Sequence, residues 1–227
     1  MVAMVLNPQN ATGSGGLSKN RIETLCDGVF AIAMTLMIFN IKVPELSASD
    51  APRELGHALF ALWPRFLVYA ISFVMIGVFW VGHHNQYHYI RRTDRPLLWI
   101  NIIFLMFVTL IPFSTTVLGQ YPEEELAVAI YALVQIMACL WLYIHWRYAT
   151  NRHRLVDADL EERVVNLAAR RILTAPAILL FAIGCSFFST RASFALFVIL
   201  PFIYILPGKI DRHWELEARQ VSPIKES

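Results

Sequence analysis

Charge is what this sequence has least of. Asp, Glu, Lys and Arg make up 16% of its 227 residues, against about 25% in an ordinary soluble domain. Hydrophobic residues make up 57%, and the mean hydropathy is +0.52. So apolar a chain cannot stay solvated, which excludes intrinsic disorder. The net charge is only +2, and no Lys/Arg block reads as a groove binder, so nucleic acid is excluded as a partner. Cysteine is scarce too. Cys26, Cys139 and Cys185 lie in apolar stretches without metal-ligand spacing and read as small buried hydrophobes. Gly-x-Ser-x-Gly, His-Glu-x-x-His and a phosphate-cradling glycine loop are all missing, so nothing points to an enzyme or to a cofactor. His84 and His88 are spaced i, i+4, but no Cys or carboxylate joins them at ligand spacing, so no metal is expected. The amino-terminal MVAMVLNPQNATGSGG lacks a basic start and a long apolar run. It reads as a flexible tail rather than a signal peptide.

Long apolar runs are what the sequence does have. A bilayer core takes about 20 apolar residues per helix, and six stretches qualify: 24–43, 63–82, 97–118, 126–146, 167–188 and 192–206. The last is short and carries Pro201. The fold class expected is an all-α membrane protein with six transmembrane helices. Residues 1–20 form an amino-terminal tail, 21–207 the membrane domain and 208–227 a carboxy-terminal tail. The polar segment 147–166 is expected to be helical at the membrane surface. Pro112, Pro176 and Pro201 fall inside spans and read as kinks.

Basic residues set the orientation. Fifteen of the 19 Lys and Arg fall before the first span, between the second and third, between the fourth and fifth, or in the tail. Only Lys42, Arg53, Arg65 and Arg191 lie on the other side, with Glu123, Glu124 and Glu125. The positive-inside bias puts both termini in the cytoplasm, and six spans satisfy that parity. The Asn10-Ala11-Thr12 sequon then faces inward and is discounted.

The first span is unusual for a lipid-facing helix. Arg21, Glu23 and Asp27 open it, Thr35 sits in its middle and Asn40 near its outer end. At 100° per residue Gly28, Ile32, Thr35 and Phe39 fall near one line, with Leu36 at its edge. From the residues alone the stripe reads as helix packing, eased by Gly28, Ala31 and Ala33. Asp27 has two readings. It complements the positive helix start, or it belongs to a functional site, the default for an ionisable group at a membrane boundary. Topology supplies partners for the second, because Trp80, His83 and His84 end the second span and Asn101 lies one turn into the third. Arg21, Asp27, Trp80, His83, His84 and Asn101 therefore share one membrane level, and a buried polar network is expected there.

Three ordered motifs carry a family resemblance. Arg21-x-x-x-Leu25-Cys26-Asp27-Gly28-Val29-Phe30-Ala31-Ile32-Ala33 resembles the first-helix signature of the transmembrane protein 175 potassium-channel family, Arg-x-x-x-Phe-Ser-Asp followed by Gly-Val-Phe-Ala-Ile-Ala. Phe79-Trp80-Val81-Gly82-His83-His84 resembles its second-helix ending, and Leu97 to Asn101 with Ile111-Pro112-Phe113 its third helix. The resemblance covers about Arg21 to Phe113. It implies a potassium-preferring channel without a Thr-Val-Gly-Tyr-Gly filter, a string this sequence also lacks. It further implies a fourfold pore lined by first helices, here a homotetramer of the prokaryotic single-repeat form in the cell membrane. Ile32 and Thr35 match pore positions, Leu36 and Phe39 further apolar layers, and Asn40 the outer pore mouth. With the resemblance added, the pore reading of the stripe overtakes packing. Potassium is then the permeant ion and the lipid bilayer the surrounding partner. Leu25, Cys26 and Asn40 depart from the family pattern. The alternative is a small proton- or ion-coupled secondary transporter relaying protons through Asp27, His83 and His84, although paired repeats with interrupted helices are missing.

Overall fold

A computed structural model describes residues 19–205, so the tails beyond them, with the sequon and the four basic residues from Lys209 onward, lie outside the described residues. The described chain is nearly all helical. Seven helices follow in order: α1 Lys19–Leu36, α2 Ala51–Phe60, α3 Trp63–Tyr89, α4 Arg95–Gln120, α5 Glu125–Thr150, α6 Glu162–Ser186 and α7 Thr190–Ile205. Short 3-10 turns at Met37–Asn40 and Asn151–His153 extend α1 and α5. Five of the six expected spans are long and apolar enough to cross a bilayer. The sixth, α7, is described from Thr190 to Ile205, the last of the described residues.

Several boundaries differ from expectation, each for a local reason. The first helix already runs at Lys19, the first described residue, ahead of residue 24, and tightens to 3-10 at Met37. Asp27 therefore lies at least eight residues in, beyond reach of a helix start, which removes one of its two readings. The second span runs seven residues past Gly82, to Tyr89. Segment 147–166 is not a surface helix of its own. Its first residues continue α5 and its last begin α6, and Val156 between them makes an antiparallel bridge with Ile90. The amphipathic α2, which buries no residue, was not anticipated.

Polar contacts show which helix ends lie together. The Lys19 ammonium donates to the Tyr87 carbonyl, joining the start of α1 to the end of α3. Asp94 caps α4 by accepting from the Leu97 amide at 3.0 Å, and also accepts from the Tyr148 hydroxyl at 2.7 Å and from Arg154 at 3.1 Å. Trp146 donates to the Val165 carbonyl at 3.0 Å, tying α5 to α6. Arg91 pairs with Asp157 at 2.7 Å. One end of the bundle therefore gathers Arg91, Arg92, Arg95, Arg147, Arg152, Arg154 and Arg163, and we call it the basic end. The packed interior runs between α3, α4, α5 and α6, with Ile76, Phe104, Val108, Ala132 and Leu179 fully buried. In lipid such packing rests on van der Waals contact and interhelical hydrogen bonds rather than on removal of apolar surface from water. Pro112, Pro176 and Pro201 all stand inside helices, as expected.

Candidate functional site: the two faces of the first helix

One face of α1 packs and the other is open. Ile22, Cys26, Phe30, Ala33 and Met37 are buried at spacings of three and four, which puts them on one helical face. That face meets α3 and α4: Phe30 lies 6.0 Å from the Phe104 ring and 6.2 Å from the His83 ring, between centroids. Gly28, Ala31, Ile32, Thr35, Leu36 and Phe39 are exposed on the far side. Ile32 is 59% exposed and Phe39 75%. The expected stripe therefore has no cover among the described residues. Thr35 donates its hydroxyl to the Ala31 and Ile32 carbonyls at 3.0 Å. Its proton is committed to its own helix, which leaves the exposed hydroxyl oxygen to act as an acceptor. Asn40, exposed, closes the 3-10 turn at the far end of the same helix.

The polar side of α1 divides into two parts. In the buried part, Asn101 accepts at Oδ1 from His83 Nε2 at 2.9 Å and donates from Nδ2 to the Cys26 sulfur at 3.2 Å. An amide oxygen only accepts, so this bond assigns the His83 proton to Nε2. Cys26 Sγ lies 3.6 Å from the same nitrogen. The second part is more open: Trp80 donates its indole N–H to Asp27 at 2.8 Å and stacks on His84 with centroids 5.7 Å apart. Glu23, Asp27, Trp80, His83 and His84 line a polar pocket of about 300 Å³ at the basic end. Arg21 is exposed and stands apart, with no ion pair among the described residues. Six residues along a helix place it about 120° around the axis from Asp27.

The structure extends the network beyond the residues singled out from the sequence. Cys26, read as a small hydrophobe, is buried but hydrogen-bonded. His145, not among the residues singled out from the sequence, donates from Nδ1 to Gln86 Oε1 at 2.7 Å, and Gln86 donates to the Leu142 carbonyl at 3.1 Å. The Tyr87 ring lies 4.6 Å from His83 and 5.4 Å from His145, between centroids. A local signal did exist, since Gln86 and Tyr87 stand three and four residues after His83 on one helix face. Among the described residues no three His, Cys, Asp or Glu side chains converge to hold a metal ion.

Against this geometry, comparison with known proteins is specific. The profile of the family described as endosomal/lysosomal potassium channel TMEM175 matches residues 21–112. A potassium channel of Streptomyces collinus is 35% identical over 188 residues, covering 81% of this chain and 90% of that one. The chain belongs to the TMEM175 family. The crystal structure of a homolog of the lysosomal potassium-selective channel TMEM175 from Chamaesiphon minutus superposes with a TM-score of 0.71 at 32% identity. It covers 83% of this chain and 96% of that one. A cattle protein, an endosomal/lysosomal proton channel TMEM175, is 30% identical over 84% of this chain but only 43% of its own length. The family profile begins at Arg21 and ends at Pro112, so it spans the three helices that make the α1 site. The α5–α7 half lies outside it, and its likeness to TMEM175 proteins rests on the whole-chain comparisons.

Proposed function

We propose that this TMEM175 protein is a potassium-preferring channel in the cell membrane, formed by four copies whose α1 helices line the pore. The observation that carries the reading is the open face of α1. A helix packed on one side by α3 and α4 presents Ile32, Thr35, Leu36 and Phe39 on the other. Four Ile32 side chains, backed by Leu36 and Phe39, form a dry constriction, and such rings gate by dewetting. Thr35 oxygens, with their protons held by α1 itself, coordinate a partly dehydrated cation beside that ring. Asn40 sits at the outer mouth. The contacts Asp27–Trp80 and Cys26–Asn101 set the rotation of α1, and so the direction in which Ile32 points. The basic end faces the cytoplasm, with both termini.

The relatives supply the ion: the bacterial ones are named potassium channels and the cattle one a proton channel. The test is flux from liposomes under potassium, sodium and proton gradients, with wild type and Ile32→Asn. A polar ring keeps the constriction wet, so Ile32→Asn is expected to raise ion flux. Unchanged flux and selectivity would remove Ile32 from the gate, and saturable coupled uptake would replace the channel with a carrier.

A further inference from the structure

The helix α2, Ala51–Phe60, buries none of its residues against the rest of the described chain. It is nonetheless two-sided. At 100° per residue Ala51, Ala58 and Leu59 fall within about 60° of Leu55, whereas Arg53, Glu54 and His57 stand about 100° or more away. Leu55 and Leu59 are exposed. Ala61 and Leu62 keep helical dihedrals past the end of α2, so Leu62, three residues after Leu59, prolongs the apolar line. Leu62 is buried, at the junction with α3. The apolar side of α2 is therefore continuous with the apolar surface of the bundle, and its charged side turns away.

Position narrows what meets that side. The start of α1 is tied to the end of α3 at the basic end, so α2, which joins the other ends of these two helices, stands at the opposite end of the bundle. Both ends of the described chain lie away from it: Lys19 bonds Tyr87, and Ile205 lines one cavity with Tyr89 and Trp146. The 27 residues of α3, about 40 Å of helix, separate those contacts from α2. Beyond Leu62 the chain enters α3 through Trp63 and Phe66, both exposed, and aromatic side chains at the start of a span mark the membrane–water boundary. A ten-residue helix is also shorter than the about 12–15 residues at which isolated helices become even marginal in water. Standing free it would hold Leu55 and Leu59 in water, whereas laid along the bilayer surface it buries them. A helix with Leu on one face and basic side chains on the other suits that surface.

We propose that α2 is a membrane-surface helix, lying in the headgroup region with Leu55 and Leu59 toward the acyl chains and Arg53 and His57 toward water. Through residues 41–50 it ties the Asn40 end of the first span to the lipid surface. The proposal requires only that the chain spans a membrane, not that α1 lines a pore, so its test does not use ion flux. Full-length protein is reconstituted in phosphatidylcholine and phosphatidylglycerol liposomes with Cys185→Ser, because Cys26 and Cys139 are buried. A nitroxide is attached to one added cysteine at a time, Leu55→Cys, Leu59→Cys or His57→Cys. Its collisions with oxygen, which concentrates among acyl chains, are compared with those of a water-soluble nickel chelate. The oxygen-to-nickel ratio is expected to be several-fold higher for Leu55→Cys and Leu59→Cys than for His57→Cys, at a depth of about 5–10 Å. Equal ratios at the three positions overturn the proposal, since α2 would then stand wholly in water or wholly in lipid. Shielding of Leu55→Cys and Leu59→Cys from both reagents overturns it as well, because a second copy of the chain would then cover that face.

Discussion

Asn101 offers the sharpest test of the buried network, because one amide serves two partners at once. Its side chain is 1% exposed and that of His83 3%, so neither can turn to water when a partner is lost. Asn101→Ala leaves the His83 Nε2–H with only the Cys26 sulfur, at 3.6 Å, and sulfur is a weak acceptor. A buried donor left unpaired costs about 1–3 kcal/mol, more than the average of about 0.6 kcal/mol that one interhelical bond contributes in a membrane protein. The single substitution is thus expected to destabilise by about 1–3 kcal/mol, with the orphaned proton dominating. The partner substitution is His83→Phe, not His83→Ala. The His83 ring stacks on Phe104 with centroids 5.5 Å apart and planes 7° apart, and a phenyl ring keeps that contact. In the double variant the orphan disappears with its partner. Its loss should therefore be smaller than the sum of the two singles by about 0.6–1.7 kcal/mol. The assay is detergent-induced unfolding in mixed micelles, at fixed protein and lipid, followed by circular dichroism. Additivity within about 0.3 kcal/mol, the scatter seen for independent sites, would mean that the 2.9 Å contact does not hold α3 to α4.

Two further outcomes follow from the ends and the interior of the bundle. Asp94→Ala removes the α4 cap together with the contacts to Tyr148 and Arg154 and is expected to cost about 1–2 kcal/mol, whereas Arg91→Ala loses a half-exposed pair worth at most about 1 kcal/mol; equal losses in thermal unfolding would contradict the central place given to Asp94. Cys26 and Cys139 are buried and Cys185 is partly exposed, so a maleimide should modify Cys185 first in folded protein and reach all three only after unfolding; mass spectrometry of timed samples checks the order, and early labelling of Cys26 would refute its enclosed position.

The spans were legible because hydropathy is a property of whole windows: 97–118 and 126–146 fall inside α4 and α5 with little to correct. Ends were less so, since they depend on contacts remote in sequence. The α3 helix continues to Tyr89 because residues past Gly82 still find partners, Gln86 on α5 and Tyr87 against His83 and Lys19. Segment 147–166 looked like one amphipathic piece, but hydrogen bonds from the Arg91 and Arg92 amides to the Leu155 carbonyl pin its middle to the α3–α4 connection. No window in the sequence reports such a pairing. The same distinction holds at the site. Spacing along one helix found the Ile32–Thr35–Phe39 stripe and the trio of His83, His84 and Trp80. It missed Cys26 as a hydrogen-bonding group and His145 altogether, because the carboxamides that engage them stand on other helices. Arg21 was grouped by depth alone, and depth does not specify direction around a helix.

The two faces of α1 bear on each other. An apolar ring can act as a constriction only if its side chains are aimed with small error, yet the described residues leave Ile32 and Phe39 largely uncovered, and Gly28 on the same face has none of them within 4 Å of where a Cβ would stand. Aim must therefore come from the opposite face. There the contacts are directional: the Trp80 indole on Asp27, and the Asn101 amide on both Cys26 and His83. Dispersion contacts tolerate a helix turning by several degrees, whereas a hydrogen bond weakens steeply once its angle is lost, so the polar contacts fix rotation and the apolar ones supply bulk. Five residues separate Asp27 from Ile32 and nine separate it from Leu36, so an error in rotation set at Asp27 passes along a rigid helix undiminished to the open face. This separation of duties explains why the directional contacts of α1 turn toward α3 and α4 while its open side carries Ile32, Leu36 and Phe39.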